Sequence, residues 1–235
     1  MKVAVINFSG NVGKTTIARH LLLPRMEGAA LVAVESLNAD EGQGQALRGR
    51  QFGELQEFLQ TVPAAVVDIG ASNVEDLLSL MRRYRGSHED FDCFVVPTVA
   101  ALKQQRDTIA TLAELARLGI AASRVKLVFN MVEDGLPVED AFDPLLAFVA
   151  ERPVAEVCPD WRLGANEVYQ KVKGTDQDLR TLARDETNYK ALIAQASDTA
   201  QKLAWAQKLA TVRLARGVVP ELDACFAALG LPGSA

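Results

Sequence analysis

Apolar and polar positions along this 235-residue chain fall into short blocks that alternate between two periods. Val3, Ala4, Val5 and Ile6 form an unbroken apolar run, the pattern of a strand buried on both faces. Similar runs recur at 29–34, 64–69, 91–97, 125–129 and 153–157, so six strands are expected. Between them the apolar residues fall at helical spacing: Leu55, Phe58 and Leu59; Val74, Leu77, Leu78 and Met81; Ile109, Leu112 and Leu115 within 103–118; and 141–149. Pro24 ends the first helix after Leu23. Ser72 and Glu75 have capping-box spacing for the helix that follows them. Repeated β and α elements predict an α/β fold with a mostly parallel sheet over residues 1–174. From Thr175 onward no strand-like run returns. Tyr189, Leu192, Ile193, Leu203, Trp205, Leu209, Val212 and Leu214, mixed with alanine, predict a helical extension over 175–235, interrupted near Gly217 and Pro220.

The first strand opens into Ser9-Gly10-Asn11-Val12-Gly13-Lys14-Thr15-Thr16 and then a helix. A glycine-bearing turn between strand and helix, with Gly-Lys-Thr at the helix start, is the setting of a phosphate-binding loop. Glycines let backbone amides converge, and the first helical turn adds donors and a partial positive charge. In that setting Lys14 reaches the β- and γ-phosphates and the Thr15 hydroxyl completes a Mg²⁺ shell. Asp68 ends the third strand and reads as the second carboxylate-bearing element of such a site, holding Mg²⁺ together with Thr15. Glu35 ends the second strand, and Asn38, Asp40 and Glu41 follow in a polar loop. These acids either serve the site or form a solvated loop.

The loop departs from GxxxxGK[ST] at Phe8 and resembles the variant KGGxGK[ST] of ParA/MinD-type ATPases through Gly10, Val12, Gly13, Lys14 and Thr15. Ser9 stands where that family has its signature lysine, and Asn11 replaces its second glycine. MKVAVINFSGNVGKTTIARHLLLPR resembles, more narrowly, the StbB-type plasmid stability proteins. The resemblance implies a ParA/MinD-like P-loop NTPase fold with ATP and Mg²⁺ as cofactors. It implies Gly10, Asn11, Val12, Gly13, Lys14, Thr15 and Thr16 as the phosphate cradle. Relatives end the second strand in Asp-x-Asp; here Glu35 matches the first acid and Leu37 the second position, so Glu35 or Asp40 is the candidate for placing Mg²⁺ and water. Lys14, Glu35, Asp40 and Asp68 are thus the catalytic candidates, and Thr15, Asp68 and Glu35 the metal candidates. Relatives use a strand-end Asn, here Asn130, on the adenine edge; an Asn starting a turn is the plainer account. Trp161 falls where relatives wrap the base, and it either stacks on adenine or seals the domain edge.

Composition narrows the function classes. Thirty acidic against 25 basic residues give a net charge of −5, a poor non-specific DNA binder unless the basic residues cluster. Lys202, Lys208, Arg213 and Arg216 do cluster, in a stretch without acids between Asp198 and Glu221. They read as a solvated helix face, a weak DNA contact or a membrane-surface helix. Cys93, Cys158 and Cys225 are widely spaced and read as free thiols in a reducing compartment. No apolar run approaches the ~18 residues of a membrane span, so a bacterial cytoplasmic protein is expected. The resemblance implies an ATP-binding, slowly hydrolysing switch in plasmid stability, partition or conjugative transfer. Its implied partners are a second copy, joined on ATP binding, and a plasmid-encoded DNA-binding protein. Two alternatives stay open: a non-hydrolysing nucleotide-binding adaptor, and an ATP-dependent ligase of the dethiobiotin or cobyrinate synthetase kind. For the ligase, no obvious carboxylate-binding Lys/Arg pair falls on the ligand face, and Arg106 is the best, isolated candidate.

Overall fold

The computed structural model describes residues 1–34, 49–175 and 177–231. Six parallel strands form one sheet in the order β2-β3-β1-β4-β5-β6. They are β1 (Lys2–Val5), β2 (Ala29–Ala33), β3 (Ala64–Asp68), β4 (Cys93–Thr98), β5 (Val125–Val132) and β6 (Arg162–Gly164). The step from β1 to β2 runs one way across the sheet and the steps from β2 onward run the other. Right-handed crossovers then place the helix after β1 on one face and the later helices on the opposite face. The later helices are α2 (Gly49–Thr61), α3 (Val74–Arg83), α4 (Leu102–Arg117), α5 (Val138–Ala141) and α6 (Asp143–Glu151), the one after β1 being α1 (Lys14–Thr16). Ala4, Ile6, Val67, Phe94 and Val96 share a core with Leu55, Leu59, Leu77, Leu112 and Leu145 of those later helices. A sheet covered this way buries both faces of its strands, which is why the strand runs are apolar without alternation.

The chain continues from α1 through a π-helical stretch, Ile17–Leu22, and a 3-10 turn, Leu23–Arg25. Pro24 has no N–H to offer the preceding turn. Arg25, itself buried, donates from Nη1 to the carbonyls of His20 at 2.6 Å and Leu21 at 3.1 Å.

Three expectations are corrected. The segment 153–157 makes only an isolated bridge, Lys126 with Glu156. The ladder resumes after Cys158 and Pro159 as β6, which pairs with β5 across an irregularity between Phe129 and Val132. The Ser72–Glu75 box does not form, because Ala71–Asn73 is a 3-10 turn and Asn73, not Ser72, stands at the cap, with no side-chain capping bond. The region near Gly217 and Pro220 is not a break but the interior of one helix, α10, Thr199–Leu229. Its preceding helices are α7 (Val168–Lys171), α8 (Leu179–Ala183) and α9 (Tyr189–Gln195).

The chain divides into two compact units, Met1–Gly164 with Cys225–Ala235, and Ala165–Ala224. Within the second, Asp178, Asn188 and Asp198 accept from Thr181 N, Ala191 N and Gln201 N, so three successive helices open on an Asp or Asn cap. Arg216 donates to the carbonyls of Ala183 and Asp185. Lys208 lies over the Trp205 ring at 5.6 Å. Of the four clustered cations, Lys202, Lys208 and Arg213 are exposed without such a backbone tie, and Arg216 is a tether within its own unit.

Candidate nucleotide-binding site

The carboxyl ends of β1 and β4 lie side by side where the strand order reverses, the place where open parallel sheets bind ligands. The loop after β1 rises there. Gly13 has φ +86° and stands at the amino end of α1 with no side chain capping it. A Cβ at Gly13 would stand 2.0 Å from Asn130 Nδ2, so only glycine fits. Asn11 has φ +61°. This explains how the chain does without the second glycine, since Asn is the side chain that visits the left-handed region most readily.

Lys14 is buried and donates from Nζ to the carbonyls of Ser9 at 2.7 Å and Asn7 at 3.1 Å. Its ammonium therefore lies across the mouth of its own loop. Thr15 Oγ1 donates to Asp68 Oδ2 at 2.6 Å. A hydroxyl and a carboxylate so placed form a hard-oxygen pair, the donor set that suits Mg²⁺. Register explains the meeting: Asp68 pairs with Val5 in the ladder, four residues before the loop begins at Ser9. Gly10 is exposed, Val12 is fully buried and Thr16 lies in the first turn of α1.

Asn130 is buried and donates from Nδ2 to Val12 O at 3.0 Å, so it braces the loop from β5. The next residue, Met131, has φ +55° and is 46% exposed. Glu35 and Asp40, with Leu37, Asn38 and Glu41, lie outside the described residues. Trp161 sits at the sheet edge: its Nε1 donates to Ala228 O at 2.9 Å and the Lys126 ammonium lies 4.7 Å from the ring centroid. The indole N–H and a ring face are thus engaged at the sheet edge, while the Trp161 carbonyl accepts from Phe129 N at 2.8 Å, one residue before Asn130.

The pattern of motifs missed Asn7. It is fully buried and uses both ends of its amide. Nδ2 donates to Pro97 O at 2.9 Å and Thr108 Oγ1 at 2.8 Å, while Oδ1 accepts from Ser9 N at 2.8 Å. Thr111 Oγ1 accepts from Phe8 N at 3.0 Å, and Thr108 Oγ1 donates to Thr98 Oγ1 at 3.0 Å. The root of the loop is thus wired to β4 and α4 through buried hydroxyls. An amide ending the apolar run VAVI was the available signal. Ser9 is also buried, beside Asp107 of α4.

No family model matches the chain, and no curated protein does. Solved structures do. MinD cell division protein from Aquifex aeolicus superposes with TM-score 0.51 at 12% identity, covering 92% of this chain and 97% of that one. The MinC:MinD cell division protein complex from the same organism gives 0.53 at 12% identity, with 92% and 95% covered. Apo McdA of Cyanothece gives 0.50 at 14% identity, with 92% and 99% covered. At such identities the likeness is one of fold: the chain is an α/β, parallel-sheet P-loop NTPase fold of the MinD kind, with C-terminal helices.

Proposed function

We propose that this chain is a ParA/MinD-type ATP-binding switch protein, with slow hydrolysis, that serves plasmid stability, partition or conjugative transfer in the bacterial cytoplasm. The observation that carries the reading is the Thr15–Asp68 pair beside Lys14 and Gly13. Gly10 to Thr16 would offer amides to the phosphates. Lys14 would move from its own carbonyls onto the β- and γ-phosphates, where its charge gains most. Thr15 and Asp68 would hold Mg²⁺, which when bound neutralises phosphate charge. Glu35 or Asp40 would position water. Asn130 already braces Val12, so adenine recognition by its amide requires that bond to be exchanged or shared. ATP binding would order the loop and change a surface read by a second copy or by a plasmid-encoded DNA-binding partner. Lys202, Lys208 and Arg213 would add a weak, salt-sensitive DNA contact. The resemblance of the amino-terminal stretch to StbB-type proteins supports the plasmid role.

Ser9 favours a second reading, a nucleotide-binding adaptor that does not hydrolyse, because the loop lacks the cation that the resembled family places there. Phosphate release, measured together with molecular mass with and without ATP–Mg²⁺, separates the two. Turnover with an ATP-dependent rise in mass supports the switch, and binding without either supports the adaptor. Absence of binding removes both.

A further inference from the structure

The loop holds one cation, Lys14, for a ligand that carries several negative charges. A second cation stands on α4. Phe8 N donates to Thr111 Oγ1 at 3.0 Å, and Ser9 lies close enough to Asp107 to help keep its carboxyl charged. Lys103 Nζ donates to Asp107 Oδ2 at 3.0 Å. Thr111, Asp107 and Lys103 are spaced i, i+4 and form one stripe with steps of about 6 Å. The loop climbs beside this stripe, with Phe8 at the level of Thr111 and Ser9 at the level of Asp107. Lys103 is the next step up, on the ligand side, because α4 starts from the carboxyl end of β4. Asn7 and Thr108 fix this register through their 2.8 Å bond. The Lys103 side chain is 79% exposed against 30% for Asp107, so it can swing without unpacking anything. The Asp107 carboxyl is held below its usual range by the hydrogen bond from Lys103, against partial desolvation, with further help from Ser9. The carboxylate therefore stays charged, yet exposed i, i+4 pairs are weakly held and yield to a stronger anion.

We propose that Lys103 is a second phosphate-contacting cation of this site: it leaves Asp107 and donates to the terminal phosphate of a nucleoside triphosphate cradled by Gly13, Lys14 and Thr15. Asp107 is the holding partner that keeps the ammonium beside the loop before the ligand arrives. This rests on the nucleotide-binding reading above, and it supplies from α4 a charge that the loop lacks at Ser9.

Equilibrium affinities of the full chain for ATP and for ADP, each with Mg²⁺, test it. Four variants are compared with wild type: Lys103→Ala, Lys103→Arg, Asp107→Asn and Lys14→Ala. A contact to the terminal phosphate alone predicts that Lys103→Ala weakens ATP by about 10-fold while ADP moves less than about 2-fold. Lys103→Arg restores most of the preference for ATP. Asp107→Asn frees the ammonium and keeps that preference or raises it. A merely structural i, i+4 pair would make Lys103→Ala and Asp107→Asn behave alike. That result, or equal shifts for ATP and ADP in Lys103→Ala, overturns the proposal while wild-type binding lost in Lys14→Ala leaves the nucleotide reading intact. A wild-type protein that binds neither nucleotide overturns both.

Discussion

The loop at the head of the sheet and the helical unit Ala165–Ala224 solve the same problem, how to order polar backbone, in opposite ways. The loop is held from inside: Asn7, Thr108, Thr111 and Asn130 are buried and bond its backbone or one another from distant parts of the chain. The helix starts of the second unit are held from outside and locally. Asp178, Asn188 and Asp198 cap the helices that follow them within a few residues, and Asp185 accepts from Thr187 N at 2.9 Å and Tyr189 Oη at 2.6 Å. A buried polar network loses much when one partner goes, since the others are stranded without water. A solvated cap loses little. The difference is one of reach: partners far along the chain fix the loop, and near neighbours fix the helix starts.

Gly13→Ala should be the most damaging change. Positive φ on a residue with a side chain costs about 1–3 kcal/mol, and the clash with Asn130 adds to it. Loss of nucleotide binding together with a large fall in melting temperature is expected by differential scanning fluorimetry. Trp161→Ala should cost about 3 kcal/mol in denaturant unfolding, as for other buried aromatic truncations, and a ring that seals the edge predicts ATP affinity changed less than about 2-fold. A large loss of affinity at unchanged stability would assign Trp161 to base stacking instead. Asn7→Ala should cost about 2 kcal/mol by stranding buried partners, and should weaken ATP more than an equally destabilising change in α9. Equal effects would break the contrast between the two regions.

The smallest effect is in acid. Asp185 is held down at about 2, chiefly by the Thr187 and then the Tyr189 side-chain hydrogen bonds. A depressed carboxyl contributes stability above its unfolded value near 3.8, and the contribution fades as pH falls toward about 2. Asp185→Asn should therefore flatten the acid limb of unfolding in this unit and leave neutral-pH nucleotide binding unchanged.

The loop was legible because backbone chemistry dictates its residues: Gly13 at positive φ, Lys14 and Thr15 at a helix start, Asp68 at the end of a buried strand. The braces were not legible. Asn7 meets Thr108 across 101 positions, and nothing local distinguishes a threonine that faces a loop from one that faces water. Period alone also misplaced α10. Pro220 costs about 3 kcal/mol inside a helix, yet Val212, Ala215, Val218, Leu222 and Cys225 form a buried stripe on either side of it, and their burial holds the helix together. Asn11 departs from the glycine pattern, and its positive φ is the conformation that a glycine there would take.

Titration of the full chain with ATP and Mg²⁺, wild type against Lys14→Ala, tests the central claim most directly. The account predicts saturable binding by wild type, weakened by at least about 100-fold in the variant, since the lost contact is a charge-assisted one, at unchanged helix content. Equal binding by the two proteins, or none by wild type, would contradict it.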